Sequence, residues 1–223
     1  RPVDWMSWGD AARFANWLHN GQPTGMQDLT TTEAGSYFLN GAQSNDELMA
    51  VVRGPDATWV IPSEDEWYKA AYHKNDGVTA NYWDYPTASN LAPTGTITGT
   101  LSFTAVYDDP YGNPAPSDPA DVDQAGGLSA YGTMGQGGNV WEWSESAFDG
   151  LNDSTSEDRG LRGGTWGGAE GILRSSFRGN GNPVAQIVDF GFRVAMVPEP
   201  CGWVWMVVAA GVLLGVRCRR RSL

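Results

Sequence analysis

The sequence predicts a loop-rich α+β fold with two short helices, several short antiparallel strands and a C-terminal transmembrane helix. Three observations support this prediction. Only two segments combine a capping box with the apolar spacing of an amphipathic helix. The 223 residues include 29 Gly and 13 Pro, which favour turns over long regular elements. Residues 201–216 carry no charge and are followed by an arginine cluster, as is typical of a membrane-spanning segment.

The two predicted helices both begin at a serine followed three residues later by an acidic residue. Ser7 precedes the first helix, which carries alanine, phenylalanine and leucine on one face, and Gly21 supplies its stop signal. Ser63 precedes the second helix, in which we expect Trp67 to anchor the core. The only two histidines, His19 and His73, fall near the C-termini of these helices. We expect them at the surface, because the helix dipole favours a partial positive charge there.

Outside the two predicted helices, the sequence pattern of residues 1–196 predicts short strands joined by turns. A hairpin is predicted around residues 37–39 and 49–52, and residues 86–130 form a long segment without a regular pattern. Glycine-rich turns punctuate residues 131–195. Strands are predicted there at 140–143 and at three apolar–arginine pairs, 161–162, 177–178 and 192–193.

Composition excludes several classes of function. The net charge is −12, and four of the 14 basic residues lie in the last seven positions, so the remainder repels phosphate backbones and nucleic-acid binding is excluded. Both cysteines, Cys201 and Cys218, lie in the C-terminal tail. A disulfide scaffold, a cysteine-based zinc site, an iron–sulfur cluster and a cysteine nucleophile are therefore excluded before residue 201.

The C-terminal tail has three parts in a fixed order, and it resembles the PEP-CTERM sorting signal. A membrane helix of about residues 201–216 is predicted, and its alternative is a buried core helix, which the terminal arginines disfavour. The resemblance implies export, anchoring in the inner membrane and processing by an exosortase-type enzyme, with release to the cell surface or outside as a further expectation. We divide the chain into a domain of residues 1–196 and an anchor of residues 197–223. The residues of the signal are Val197, Pro198, Glu199, Pro200, Arg217, Arg219, Arg220 and Arg221.

The opening of the chain bears on the same expectation. It begins at Arg1 and shows no apolar leader. Because the tail implies export, we expect a signal peptide and the N-terminal part of the domain to lie upstream of the sequence given.

Five landmarks occur in order across residues 2–195: PVDWMSWGDAARFANWL, VIPSEDEWYKAA, GGNVWEW, LRGGTW and DFGFRVA. This series resembles the formylglycine-generating enzyme family, also called the sulfatase-modifying factor domain, whose fold is a variant of the C-type lectin fold. Members that oxidise a cysteine bind copper through two cysteines after the GG-[ST]-[WY] motif. The matching positions hold Gly168 and Leu173, so we expect neither copper nor a catalytic residue. Related sulfoxide synthases need a three-histidine iron site, which two histidines do not supply.

The resemblance also implies calcium as a possible cofactor. One family site would use the Glu142 carboxylate with carbonyls of Gly138 and Val140, although Gly135 offers no side chain at the upstream position. The alternative is that Glu142 pairs with an arginine such as Arg162. A second family site maps onto Asn90 and Leu91, with a further ligand from Asp121 or Asp123.

Family relatives that bind rather than catalyse present ligand contacts on their C-terminal glycine-rich face, which implies a recognition surface here. Aromatic, arginine and asparagine side chains suit sugar or protein recognition. The alternative is that the tryptophan lies in the core and the arginines form ion pairs. The surface comprises Trp166, Glu170, Arg174, Arg178, Asn180 and Asn182.

Together these features predict an exported, envelope-anchored, non-catalytic binding or structural module of the formylglycine-generating type. Its expected partners are extracellular polysaccharide or a surface protein. Two alternatives remain open: a sulfatase-modifying oxidase or related oxidoreductase with a non-standard mechanism, and a structural subunit completed by a partner domain.

Overall fold

The computed structural model describes residues 1–108 and 116–197. The predicted PEP-CTERM helix and arginine cluster lie outside these residues, as does most of the VPEP motif. Within the described residues, no helix is long and apolar enough to cross a bilayer. The helices are α1 (Trp8–His19), α2 (Asn45–Met49) and α3 (Glu64–Tyr72), with a 3-10 turn at Glu170–Leu173. The strands are β1 (Trp59–Val60), β2 (Thr94–Gly95), β3 (Thr104–Ala105), β4 (Trp141–Ala147), β5 (Arg159–Arg162), β6 (Gly179–Gly181), β7 (Phe190–Gly191) and β8 (Ala195–Met196).

The capping boxes set the starts of the helices. Ser7 and Asp10 exchange side-chain and backbone hydrogen bonds at the start of α1, and Ser63 and Glu66 do the same at α3. These two predictions are confirmed. The third helix, α2, was not predicted and begins with the same box at Ser44. It occupies part of the segment in which we expected the second strand of a hairpin, and only one bridge, Tyr37 to Arg53, remains of that hairpin.

A four-stranded sheet in the order β6-β5-β4-β7 organises the C-terminal half. Strand β4 pairs antiparallel with β5, which pairs antiparallel with β6, whereas β7 joins β4 in parallel. Strands β2 and β3 are also parallel. The predicted short antiparallel strands are thus present, and the two parallel pairs are an addition that was not predicted; β7 lies parallel to β4 because the chain crosses over between β6 and β7 before it returns to β4. Residues 177–178 precede β6 and residues 192–193 follow β7, so neither pair lies in a strand as we had expected.

The interior is divided among three aromatic clusters. The largest joins α1 to the sheet through Trp8 and Trp143, both fully buried. A second cluster lies between α3 and the sheet, where Trp67 is 1% exposed, confirming its predicted role as an anchor. A third cluster packs Ala105 and Tyr107, from the segment that we predicted to be irregular, against Tyr85 and Leu173. Burial of apolar area in these clusters supplies order where the strands are only two residues long.

Candidate functional site

Glu142 of β4, the predicted calcium ligand, is held by an arginine and a tryptophan. Its Oε2 accepts hydrogen bonds from Trp67 Nε1 at 2.6 Å and from Arg193 Nε, while Oε1 accepts from Arg193 Nη2 at 2.6 Å. Glu142 is thus ion-paired, as in the predicted alternative to calcium binding, but its partner is Arg193 and not Arg162. Arg162 faces Glu142 across the strands in register and pairs instead with Glu64, because that carboxylate lies beside it at the start of α3. A calcium ion at Glu142 would have to displace Arg193.

The predicted carbonyl ligands do not complete an oxygen cage around Glu142. A cavity of about 180 Å³ is lined by Glu142, Val140 and Asn139 together with Arg193. The Asn139 Oδ1 accepts from the Ala120 N–H at 2.8 Å, so it is already engaged. Calcium favours six to eight oxygen ligands with negative charge. The donor set at this cavity, with its only carboxylate neutralised by a guanidinium, does not fit that requirement.

Gly138, the other predicted carbonyl, has a structural task. Its φ of +76° lies in the left-handed region, and a Cβ there would lie 2.0 Å from the Val106 carbonyl oxygen. Its N–H donates to the Gly163 carbonyl at 2.8 Å. The glycine before the VWEW motif therefore allows two chain segments to pass at close range.

The residues of the second predicted calcium set are exposed in the described part of the chain. Asn90 is exposed and its Oδ1 accepts from the Asp84 N–H at 3.1 Å, and the adjacent Leu91 is 79% exposed. Asp121 and Asp123 are exposed as well. No hydrogen bond or ion pair between described residues joins either aspartate to Asn90 or Leu91. Calcium at this position remains a prediction.

An acidic cluster that we did not predict lies in the loop between β4 and β5. Asp149, Asp153 and Glu157 each place one carboxylate oxygen within 4.8 Å of the others. Desolvation, followed by the negative charges of the two aspartates, raises the pKa of Glu157. The D-x-x-x-D-x-x-x-E spacing is visible in the sequence, but exposed acidic groups of this kind are common without an ion.

The positions that match the oxidase cysteines are packed with apolar groups. A Cβ built on Gly168 would lie 2.1 Å from Ile172 Cδ1, so this position has no room for a side chain unless Ile172 moves. Leu173 is fully buried and packs with Tyr85 and Tyr107 in the third cluster. The arrangement is thus a piece of core.

The two histidines lie at the ends of different helices, as predicted, and are engaged locally. His73 is buried rather than at the surface, because Tyr131 covers it and the Tyr131 hydroxyl donates a hydrogen bond to its Nδ1 at 2.8 Å. Its Nδ1 also accepts from the Asn75 N–H, so Nε2 carries the proton and donates to the Val78 carbonyl at 2.9 Å. His19 Nδ1 contacts the Thr58 hydroxyl at 2.8 Å.

The residues of the predicted recognition surface differ in exposure and in hydrogen bonding. Trp166 is half-buried, and its Nε1 is buried without an acceptor among the described residues. The Asn182 Oδ1 accepts from a local backbone N–H, and Asn180 donates to the Asp158 carboxylate at 2.5 Å. Glu170 is half-buried on the 3-10 turn. Arg174, just after it, is exposed and lies 5.1 Å from the Tyr85 ring.

Arg178, the remaining member, belongs to a charged cluster built on Glu64. Glu64 Oε1 accepts from Arg162 Nε at 2.7 Å and from Arg178 Nε at 2.6 Å, and Oε2 accepts from Arg178 Nη2. Ser146 Oγ accepts from the Glu64 N–H, which ties the start of α3 to the sheet. We call Glu64, Arg162 and Arg178 the Glu64 cluster. The pairing of the predicted arginines with acidic groups was one of the two alternatives drawn from the sequence.

The comparison of the sequence with known families defines a protein of the formylglycine-generating type. The chain belongs to this family, because the sequence model of the sulfatase-modifying factor enzyme 1-like domain matches residues 1–197. Two solved structures share the fold. Treponema denticola variable protein 1 has a TM-score of 0.59 at 23% identity and covers 89% of this chain and 72% of its own. CarF has a TM-score of 0.56 at 20% identity, covering 88% and 68%.

The curated relatives carry enzyme names. The hercynine oxygenase of Mycolicibacterium smegmatis is 38% identical over 89 residues, which is 31% of this chain and 20% of that protein. The hercynine oxygenase of Mycolicibacterium thermoresistibile is 31% identical over 161 residues, covering 62% and 32%. The chain thus spans between a fifth and a third of the length of these relatives.

Proposed function

We propose that the chain is a non-catalytic recognition module of the formylglycine-generating family, exported and held at the membrane by its C-terminal tail. The observation that carries the proposal is the packing at Gly168 and Leu173. A copper site at these positions would need two thiolates. The chain instead places Ile172 against the first position and buries a leucine at the second.

The alternative is an oxygenase activity, which the names of the curated relatives favour. A three-histidine iron centre cannot be assembled from the two histidines of this sequence. Both are also engaged, His73 through both ring nitrogens and His19 through Nδ1. The donor set of this chain therefore supports recognition better than oxygen chemistry.

Export and anchoring are supported by the tail sequence. The VPEP motif, the uncharged segment and the arginine cluster stand in the order that a sorting signal requires. An exosortase-type enzyme would be the processing partner, and extracellular polysaccharide or a surface protein the ligand. A cell fractionation that followed the full-length gene product would place it in the membrane, and its recovery only in the cytosol would contradict the anchoring.

The enzymatic alternative is tested directly with the full chain. Incubation with iron(II), oxygen, a thiol and hercynine should leave hercynine unchanged in mass spectra. The recognition function is tested by co-sedimentation of the full chain, in detergent, with the extracellular polysaccharide of its source organism. Saturable binding that falls in the Arg174→Ala variant supports the proposed surface, since Arg174 is exposed. Turnover of hercynine would overturn the proposal.

A further inference from the structure

We infer that the cavity beside the Glu64 cluster binds one residue of a neutral hexopyranose, stacked on Tyr68. This inference rests on the proposed recognition function and names a ligand class and a site that includes Arg178 of the predicted recognition surface. The cavity has a volume of about 340 Å³ and is lined by Glu64, Asp65, Tyr68, Gly150, Arg162 and Arg178. A volume of this size lies at the lower end of the range of small-ligand sites.

Hydrogen-bonding groups at the cavity remain free on its outer side. Arg178 donates hydrogen bonds from Nε and Nη2 to the Glu64 carboxylate. Its Nη1 makes no hydrogen bond within the described residues, and its side chain is 33% exposed. Asp65 is exposed and forms no ion pair with any described residue. One planar donor and one planar acceptor thus border the same cavity. Such a pair matches adjacent hydroxyl groups, each of which both donates and accepts.

The position of Arg178 is fixed before any ligand arrives. Glu64 holds it by two hydrogen bonds from one side, and the Phe148 ring lies 5.0 Å from its guanidinium carbon on another. A guanidinium that is already ordered loses little side-chain entropy when it binds a ligand.

Tyr68 supplies the apolar wall. Its ring lies 5.3 Å from the Arg162 guanidinium carbon and 5.1 Å from the centre of the Tyr82 ring, so it is wedged in place. It is half-buried and still borders the cavity. An ordered aromatic wall offers apolar contact area at small entropic cost, which suits the C–H face of a sugar ring.

The charges decide between a neutral and a charged ligand. Two guanidinium groups, of Arg162 and Arg178, and two carboxylates, of Glu64 and Asp65, line the cavity and cancel formally. The whole chain carries −12, so an acidic polymer would approach against repulsion. A cationic sugar would compete with arginines for the carboxylates. A neutral, hydroxyl-rich ring is neither repelled by the negative net charge nor in competition with the arginines for the carboxylates.

The test uses the full chain in detergent and the methyl pyranosides of D-glucose, D-galactose and D-mannose as probes. Binding is detected by saturation-transfer NMR and quantified by titration, with D-glucuronate and D-glucosamine as charged comparators. Asp65→Ala should weaken the binding of the preferred neutral probe about tenfold, since a hydrogen bond to a charged group is lost. Tyr68→Leu should abolish the transfer signal.

Asp46→Ala is the matched control, because Asp46 is also an exposed acid in the first turn of a helix. It should bind as the wild type does, and the thermal midpoints of all three variants report whether they fold. Wild-type-like binding in both folded cavity variants would overturn the cavity assignment and leave the recognition function standing. Absence of binding by every neutral probe, or tighter binding of glucuronate, would overturn the ligand class. The recognition function itself fails only on hercynine turnover or lack of polysaccharide binding.

Discussion

Replacing Glu64 by Gln tests whether the Glu64 cluster holds α3 against the sheet. The substitution keeps the shape of the side chain and removes its charge. Arg162 would then lose its carboxylate partner while its own side chain is only 6% exposed. Its Nη1 would still donate to the carbonyls of Ser175 and Phe177, so hydrogen bonds would remain but the charge would stand uncompensated.

The magnitude follows from burial. Leaving a buried guanidinium without its counter-charge costs about 3–5 kcal/mol. For a domain of this size that loss lowers the melting temperature by about 6–20 °C. Arg178→Ala removes the more exposed partner and leaves the Glu64–Arg162 pair intact, so its cost should be about 1 kcal/mol.

Thermal unfolding followed by circular dichroism measures these differences. Asp65→Asn is the matched control, because it removes a neighbouring exposed charge from the same helix turn and reports the helix-dipole contribution alone. If Glu64→Gln lowered the free energy of unfolding no more than Arg178→Ala, or no more than the control, the Glu64 cluster would not hold α3 against the sheet.

Three further predictions concern acid stability, backbone geometry and calcium. Backbone N–H groups at the start of α2 lower the pKa of Glu47 to about 2, so its stabilising charge is complete above about pH 4.5 and is lost as the pH falls towards 2. Glu47→Gln should therefore flatten the decline of the melting temperature across that acid range, and an unchanged slope would contradict this. Gly138→Ala should cost about 3 kcal/mol or more in chemical denaturation, from a close contact added to a positive φ. Gly132→Ala, with a similar φ and open space around its Cβ, should cost about 1 kcal/mol, and equal costs would refute the role of the contact. Millimolar calcium should cause no rise in melting temperature that depends on Glu142, because the Glu142 carboxylate is ion-paired with Arg193. A calcium-dependent rise that disappears in Glu142→Gln would reinstate the predicted calcium site.

Local signals in the sequence were sufficient for the helices. The serine-to-acid spacing predicted the starts of α1 and α3, and the same spacing at Ser44 marked α2. Only five helical residues follow this third box, too few to show a helical period, so the box alone does not predict the helix.

Local signals in the sequence did not predict the strand pairings or the ion-pair partners. Strand β7 joins β4 in parallel across more than forty residues, and a two-residue strand carries no periodicity of its own. An ion pair between Arg162 and Glu142 was the predicted alternative to a calcium site, and the structure places these two residues opposite each other in register. Arg162 pairs with Glu64, 98 positions away, because α3 packs its first turn against the sheet. Such partners depend on packing between elements.

The family landmarks in the sequence located the candidate sites but did not show how the residues at those sites are packed. The sequence shows that cysteine is missing at Gly168 and Leu173, and the structure adds that both positions are filled by apolar packing. The sequence could not show that the cavity beside Glu64 exists. The walls of this cavity come from α3, β5 and the segments on either side of β5, which only the folded chain brings together.

We propose that this chain does not oxidise cysteine, and copper-dependent turnover tests this proposal most directly. The full chain would be incubated with copper(I), oxygen, a reductant and a peptide carrying the cysteine of a sulfatase motif. The variant Cys201→Ala/Cys218→Ala, which contains no cysteine at all, would be run beside it. We predict that the peptide cysteine stays unmodified in mass spectra with both proteins. Formylglycine produced by the wild type alone would assign the copper site to the tail thiolates, and formylglycine produced by either protein would contradict the account.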